Sequence, residues 1–142
     1  MTPAGTTFAS SNWQSEASFV GNNFAFRHYF QNAMKHGSGL NVALGTISHE
    51  MGVYASHNVQ RAGRTLGVAV IKYPLVFVGA HPTGDSKGRI FALTDANGVI
   101  FDASDKSLLL RTLAPLGERA QDSIRRNKQY GKAAHEPLTF LD

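Results

Sequence analysis

Apolar positions along this chain recur first with the period of a helix and then with that of a strand. From Phe24 to His36, Phe26, Tyr29, Phe30, Ala33 and Met34 follow one another at three- and four-residue steps. That single stripe predicts a helix. Gly37-Ser38-Gly39 stops it, since glycine takes the left-handed conformation after a helix without steric cost. The period then shortens to two. Leu40 to Leu44 is a strand candidate closed by Gly45. Val53 to Val59 places Val53, Ala55, His57 and Val59 on one face and Tyr54, Ser56 and Asn58 on the other, the alternation of a strand. Leu66 to Tyr73 is strongly apolar and β-branched, which predicts a central strand. Ahead of the helix, Gly5 to Ser11 reads as a short strand leaving a turn.

Pro74 ends the Leu66–Tyr73 run, because proline cannot donate to a central ladder. Pro74 to Gly88, with Gly79, Pro82, Gly84 and Gly88, reads as a connector in which Val76-Phe77-Val78 leaves room for a short strand. A second pattern follows. Arg89 to Thr94 is a strand, Asp95-Ala96-Asn97-Gly98 a tight turn, and Val99 to Asp102 the return strand, since Asn-Gly tolerates the positive φ of a hairpin. Ser107 to Leu113 is a further strand candidate, and Leu116 to Lys128 reads as a polar helix. Local hairpins joined to helices predict an α+β fold with antiparallel sheets, in two modules over residues 1–80 and 86–142. A faint repeat supports the division. Thr2-Pro3-Ala4-Gly5-Thr6-Thr7-Phe8-Ala9-Ser10 echoes Thr94 to Ser104, with two gaps. In the second copy a full strand precedes the turn; in the first only Met1 does. A hairpin needs both strands to satisfy its backbone. The first module is therefore expected to lack its opening strand, and the chain to be a fragment of a larger protein.

Composition narrows the function classes. A chain of 142 residues with 42% hydrophobic content is long and apolar enough for a packed core, as one ordinary domain or two small ones. The absence of cysteine excludes disulfides and cysteine-ligated metals. The formal charge of +4 permits nucleic acid, a membrane surface or an anionic ligand as partner. The basic residues are dispersed, however. Their densest cluster, Arg119, Arg125, Arg126 and Lys128, reads as a solvated helix face rather than a nucleic-acid patch. No apolar run approaches the roughly 20 residues of a membrane span, and Met1 to Gly5 does not resemble a signal peptide.

Enzyme chemistry finds no support. His49-Glu50 opens like a zinc-protease motif, but Val53 stands where a second histidine is required. Ser48-His49-Glu50 are sequence neighbours and do not face one another as a triad. No metal set or cofactor motif is present. What remains is a cationic constellation within apolar elements. Arg27 lies among aromatics in Asn23-Phe24-Ala25-Phe26-Arg27-His28-Tyr29-Phe30, and Lys72 shares a strand face with Val68 and Val70. A cation in such a place needs a partner or must reach water. An anionic ligand is one such partner: arginine grips a carboxylate through two parallel hydrogen bonds, and lysine offers a point charge. Thr46, Ser48, Tyr54 and Ser56 add hydroxyl donors. Other partners stay open at this stage. Arg27 could serve its local structure or pair with Glu16, Lys72 could snorkel at a strand end, and Tyr29 and Phe30 read as core.

Ordered segments of the chain resemble the sensor region of DctB-type histidine kinases. They are Ser11-Asn12-Trp13, Ser18-Phe19-Val20-Gly21, Asn23 to Phe30, Leu44-Gly45-Thr46, Leu66 to Lys72, Thr94 to Phe101, Arg111-Thr112-Leu113-Ala114-Pro115-Leu116 and Gln129-Tyr130-Gly131. The arginine-aromatic element is similar to that of double Cache (PAS-like) sensors more widely. The resemblance implies two tandem PAS-like modules in the extracytoplasmic (periplasmic) part of an inner-membrane protein. The membrane-distal module would hold a small dicarboxylate such as succinate, fumarate or malate, and the proximal one would lead to a membrane helix. It also implies that the kinase core lies outside this chain, and it permits a homodimer. Carried over by motif, Arg27, Thr46 and Lys72 match carboxylate-binding positions, and Asn23 and Phe24 fall where the family contacts ligand, often with Ser and Tyr. His28 stands where the family usually has proline, and Tyr73 to Ser86 departs from its pattern. The alternative is a sensor of the same fold for an amino acid or a monocarboxylate. That reading requires an acid near the site, for which Asp85 is the sequence candidate.

Overall fold

The computed structural model describes residues 1–75, 89–131 and 135–138. A helix α1 (His28–His36) is followed by three antiparallel strands, β1 (Ser38–Leu44), β2 (Met51–Arg61) and β3 (Arg64–Pro74), in the order β1-β2-β3. A two-stranded hairpin, β4 (Ala92–Thr94) with β5 (Ile100–Ala103), a short 3₁₀ turn at Lys106–Leu108 and a helix α2 (Glu118–Arg126) follow among the described residues. The fold is α+β with antiparallel sheets and flanking helices, as the hydrophobic pattern predicts.

The helix ends where expected: Gly37 takes φ 92° and its N–H returns to the Ala33 carbonyl. It begins at His28, four residues later than the apolar stripe suggests. The cause is tertiary. Asn23 bridges Thr6, and the Phe24 N–H donates to the Gly5 carbonyl, so this stretch pairs with the N-terminal segment and Arg27 becomes the helix N-cap. His28 is thus the first helical residue, a position that accepts proline because its N–H has no helical partner.

Among the described residues β2 lies between β1 and β3, and the other side of β3, expected to be a central strand, is met by Met1, whose N–H donates to the Val68 carbonyl (2.8 Å) and whose carbonyl accepts from the Val68 N–H (3.0 Å). Ala62 (φ 49°) and Gly63 (φ 75°) close a two-residue hairpin between β2 and β3, so the strands follow one another as a meander. Outward-pointing Leu40, Ala55 and Ile71 stand side by side across the sheet, exposed. The opposite face, with Ala43, Tyr54 and Val68, packs on Tyr29, Phe30 and Ala33 of α1. Tyr29 and Tyr54 stack with ring centroids 5.0 Å apart and 7° between planes.

A second core gathers Val99, Ile124 and Tyr130, with Met51, Leu110 and Leu116 against it. The strand expected at Ser107–Leu113 is reduced to an isolated antiparallel bridge of Thr112 with Val99. At its start the Asp105 carboxylate accepts from the Ser107 N–H (2.9 Å) and hydroxyl (2.7 Å), and there this local bonding wins over a ladder. The strand expected from Arg89 is shortened to Ala92–Thr94, with Phe91 bonded instead to Ser104. Residues 76–88 of the connector, with the Val76-Phe77-Val78 candidate and Asp85, lie outside the described residues.

Candidate functional site

A cavity of about 700 Å³ opens between the inner face of the first sheet, α1 and the N-terminal segment. Of the seven candidate residues, Arg27, Phe24, Thr46, Tyr54 and Lys72 line it. They arrive from four places. Phe24 and Arg27 come from the turn that caps α1, Thr46 from the loop after β1, Tyr54 from β2 and Lys72 from β3. Tyr54 and Lys72 are direct cross-strand partners, so register alone brings the phenol and the ammonium to one wall. Gly52 leaves room for the lysine stem; a Cβ there would lie 2.9 Å from Lys72 Cε.

Asn23 and Ser56 are not part of the lining. The Asn23 amide donates to the Ala4 carbonyl (2.8 Å) and to Thr6 Oγ1 (3.2 Å), holding the N-terminal turn in place. Ser56 shares the inner face with Tyr54 but lies beneath α1, where its hydroxyl reaches the Tyr29 carbonyl at 2.7 Å. Both are spoken for by backbone groups. Tyr29, assigned to the core by its sequence pattern, does both jobs: it is buried and also lines the cavity. Thr7, Ser10 and Ser11 of the N-terminal segment line the opposite wall. Their small polar side chains carry no periodic signal that would have marked them.

The two cations differ in kind. Arg27 is 2% exposed. Its guanidinium donates to the carbonyls of Leu44 (2.7 Å), Lys128 (2.9 Å) and Asn127 (3.3 Å), and Phe26 lies beneath it, 5.3 Å from Cζ to ring centroid. Three of five donor directions are therefore committed, two of them to the end of α2, about a hundred residues away in sequence. Burial lowers the Arg27 pKa from its ordinary value, while the neighbouring Tyr29 and Tyr54 act against that shift. Both tyrosines are pushed upward by the same burial, so they stay neutral and keep hydroxyl protons to donate. Lys72 is an edge cation. Its Nζ donates to Ser48 Oγ at 2.6 Å, and the Glu50 carboxylate lies 3.6 Å away.

Ser48 and Lys72 have the spacing of a nucleophile and a base, but an ammonium paired with Glu50 has no lone pair with which to accept a proton. Glu50 is also the acid that the sequence pattern did not place; only the pairing of β2 with β3 brings it to Lys72. No acid lines the cavity among the described residues, and no group of three or more metal-ligating side chains occurs among them. No described helix is long and apolar enough to cross a membrane. Two cations and the neutral hydroxyls of Tyr29, Thr46 and Tyr54 thus line one cavity, an arrangement that can bind an anion.

No known family profile matches the chain. It is 38% identical over 137 residues, 96% of its length, to the C4-dicarboxylate transport sensor protein DctB of Rhizobium meliloti, of which it covers 22%. It is 33% identical to the sensor domain of the V. cholerae histidine kinase DctB, with a TM-score of 0.85, covering 97% of this chain and 53% of that one. The ligand-binding domain of the Pseudomonas aeruginosa amino acid chemoreceptor PctC, solved with GABA, is 28% identical at a TM-score of 0.51, over 66% of this chain and 43% of its own. The chain thus spans about a fifth of the length of the curated relative, within a sensor region and apart from a kinase core.

Proposed function

We propose, on the premise that this chain is homologous to a DctB sensor domain over nearly its whole length, that it senses a small dicarboxylate such as succinate, fumarate or malate. The observation that carries the proposal is the cavity itself, which presents Arg27 and Lys72 and, among the described residues, no acid. A buried guanidinium that donates to three neutral carbonyls keeps its positive charge and attracts an anion. In this reading one carboxylate meets Arg27 and the other Lys72, with Thr46 and Tyr54 bonding between them. The rest of the protein would be a membrane-anchored two-component histidine kinase, with this part outside the cytoplasm, an arrangement that permits a homodimer. Residues 1–80 would form the distal, ligand-holding module and 86–142 the proximal one. Binding would shift a population between two arrangements of the modules, since a ligand moves such an equilibrium only through its differential affinity. Isothermal titration against a panel of dicarboxylates, monocarboxylates and amino acids tests this. Succinate-class ligands should bind best, and a best response from butyrate would refute it.

One observation favours a second reading. Glu50 beside Lys72 supplies an acid that an amino-acid ligand could use for its ammonium group. Tighter binding of an amino acid than of succinate in the same panel would select it.

A further inference from the structure

We propose that Glu50 is an internal competitor for Lys72: its carboxylate holds the ammonium in the ligand-free protein and gives way to the distal carboxylate of the ligand. This rests on the dicarboxylate reading above and adds a specificity-determining residue to it. The two partners are unequal. The Lys72 side chain is 13% exposed and fixed by Ser48 at 2.6 Å, whereas the Glu50 side chain is 68% exposed. Their 3.6 Å separation is an ion pair without hydrogen-bond geometry, and exposed pairs of this kind are weak. Glu50 can therefore leave at little cost while Lys72 stays in place.

The backbone confines the exchange to the side chain. The Glu50 carbonyl accepts from the Gly45 N–H at 2.9 Å, and a Cβ at Gly45 would collide with the Ser48 hydroxyl. This six-residue turn presents Thr46 and Ile47 to the cavity and Ser48 and Glu50 to Lys72. With Glu50 in place, a second carboxylate approaching Lys72 meets a like charge at close range. A monocarboxylate held at Arg27 meets it only at a distance. Glu50 thus lowers affinity for the doubly charged ligand and keeps Lys72 from capturing stray anions.

Calorimetric titration of succinate and butyrate into the parent, Glu50→Gln, Lys72→Met and the double variant tests the proposal. Glu50→Gln should bind succinate about two- to fivefold more tightly, the worth of an exposed pair, with a smaller gain for butyrate. The gain should vanish in the Lys72→Met background. If succinate binds the parent but Glu50→Gln binds it equally or less well, the competitor role is wrong and the dicarboxylate reading stands. An equal gain in the Lys72→Met background also overturns it. If succinate binds neither the parent nor Glu50→Gln, both readings fall together.

Discussion

The two ends of the repeat form the same turn with different chemistry. At Thr2 to Thr6, the Gly5 N–H donates to the Thr2 carbonyl (2.9 Å) and the Thr6 N–H to Thr2 Oγ1 (3.1 Å). At Asp95 to Val99, the Gly98 N–H donates to the Asp95 carbonyl (3.0 Å) and the Val99 N–H to Asp95 Oδ1 (2.9 Å). Gly5 and Gly98 have φ 87° and 79°. Thr2 therefore matches Asp95 without a gap, one residue away from the pairing that sequence similarity suggests. A hydroxyl and a carboxylate close the turn equally well. The carboxylate has a second oxygen, and it receives the Tyr130 hydroxyl at 2.9 Å, which burial and the Asp95 charge together keep protonated. The second unit thus contains its own anion and packs it against its core. The first contains a neutral threonine at the same place and cations around an open cavity. In the second unit the turn's charge is met by the Tyr130 hydroxyl; in the first the cations Arg27 and Lys72 line a cavity.

The largest expected effect tests the bolt between the units. Arg27→Met removes a guanidinium that bonds three carbonyls, two of them in the second unit. Buried acceptors left unpaired should cost about 3–5 kcal/mol in urea unfolding. Arg27→Lys should recover part of the stability, since one ammonium cannot span the three acceptors. Stability unchanged in both variants would show that the units do not depend on this residue.

Lys72→Met sharpens the same contrast at the ligand end. It keeps the apolar stem and removes the charge, so the melting curve should hold or rise. Succinate affinity should fall by about 2–3 kcal/mol, and butyrate affinity should change far less. Equal losses for both ligands would place Lys72 outside the two-ended grip.

The turns themselves can be compared directly. Asp95→Ala removes an acceptor of two backbone N–H groups and a buried phenol, and should cost about 2–3 kcal/mol. Thr2→Val removes one backbone acceptor and should cost under about 1 kcal/mol. The reverse order in denaturant melts would break the argument that the second unit alone invests its turn residue in the core.

The smallest effect is a pH dependence. His28 Nε2 meets Ser123 Oγ at 2.9 Å between α1 and α2, and burial lowers its pKa. A base whose folded pKa is depressed binds fewer protons folded than unfolded. Its contribution is therefore complete above the ordinary histidine pKa of about 6.5 and is lost as pH falls from there toward the folded value. His28→Gln should flatten the fall in stability between pH 7 and pH 5. An unaltered slope would assign the dependence to other groups.

What the sequence determined by itself is local. Gly37 stopping α1, the Asp95–Gly98 turn and the alternation of Val53–Val59 each depend on the conformational preference of one residue or on a period of two, and each stands in the structure. Phe24, Arg27, Thr46, Tyr54 and Lys72 were legible as a set because cations and hydroxyls within apolar runs, and the resemblance of their flanking segments, marked them. The tertiary structure decided the rest. α1 starts late because Asn23 and Phe24 pair with Thr6 and Gly5. β2 lies between β1 and β3 because a two-residue hairpin, not apolarity, sets strand order. Asn23 and Ser56 turn to backbone carbonyls that only chain reversal brings near. Glu50 reaches Lys72 through strand register, and Arg27 finds its carbonyl partners across about a hundred residues. A residue type limits which bonds a side chain can make; which of them it makes depends on groups that are distant in sequence until the chain folds.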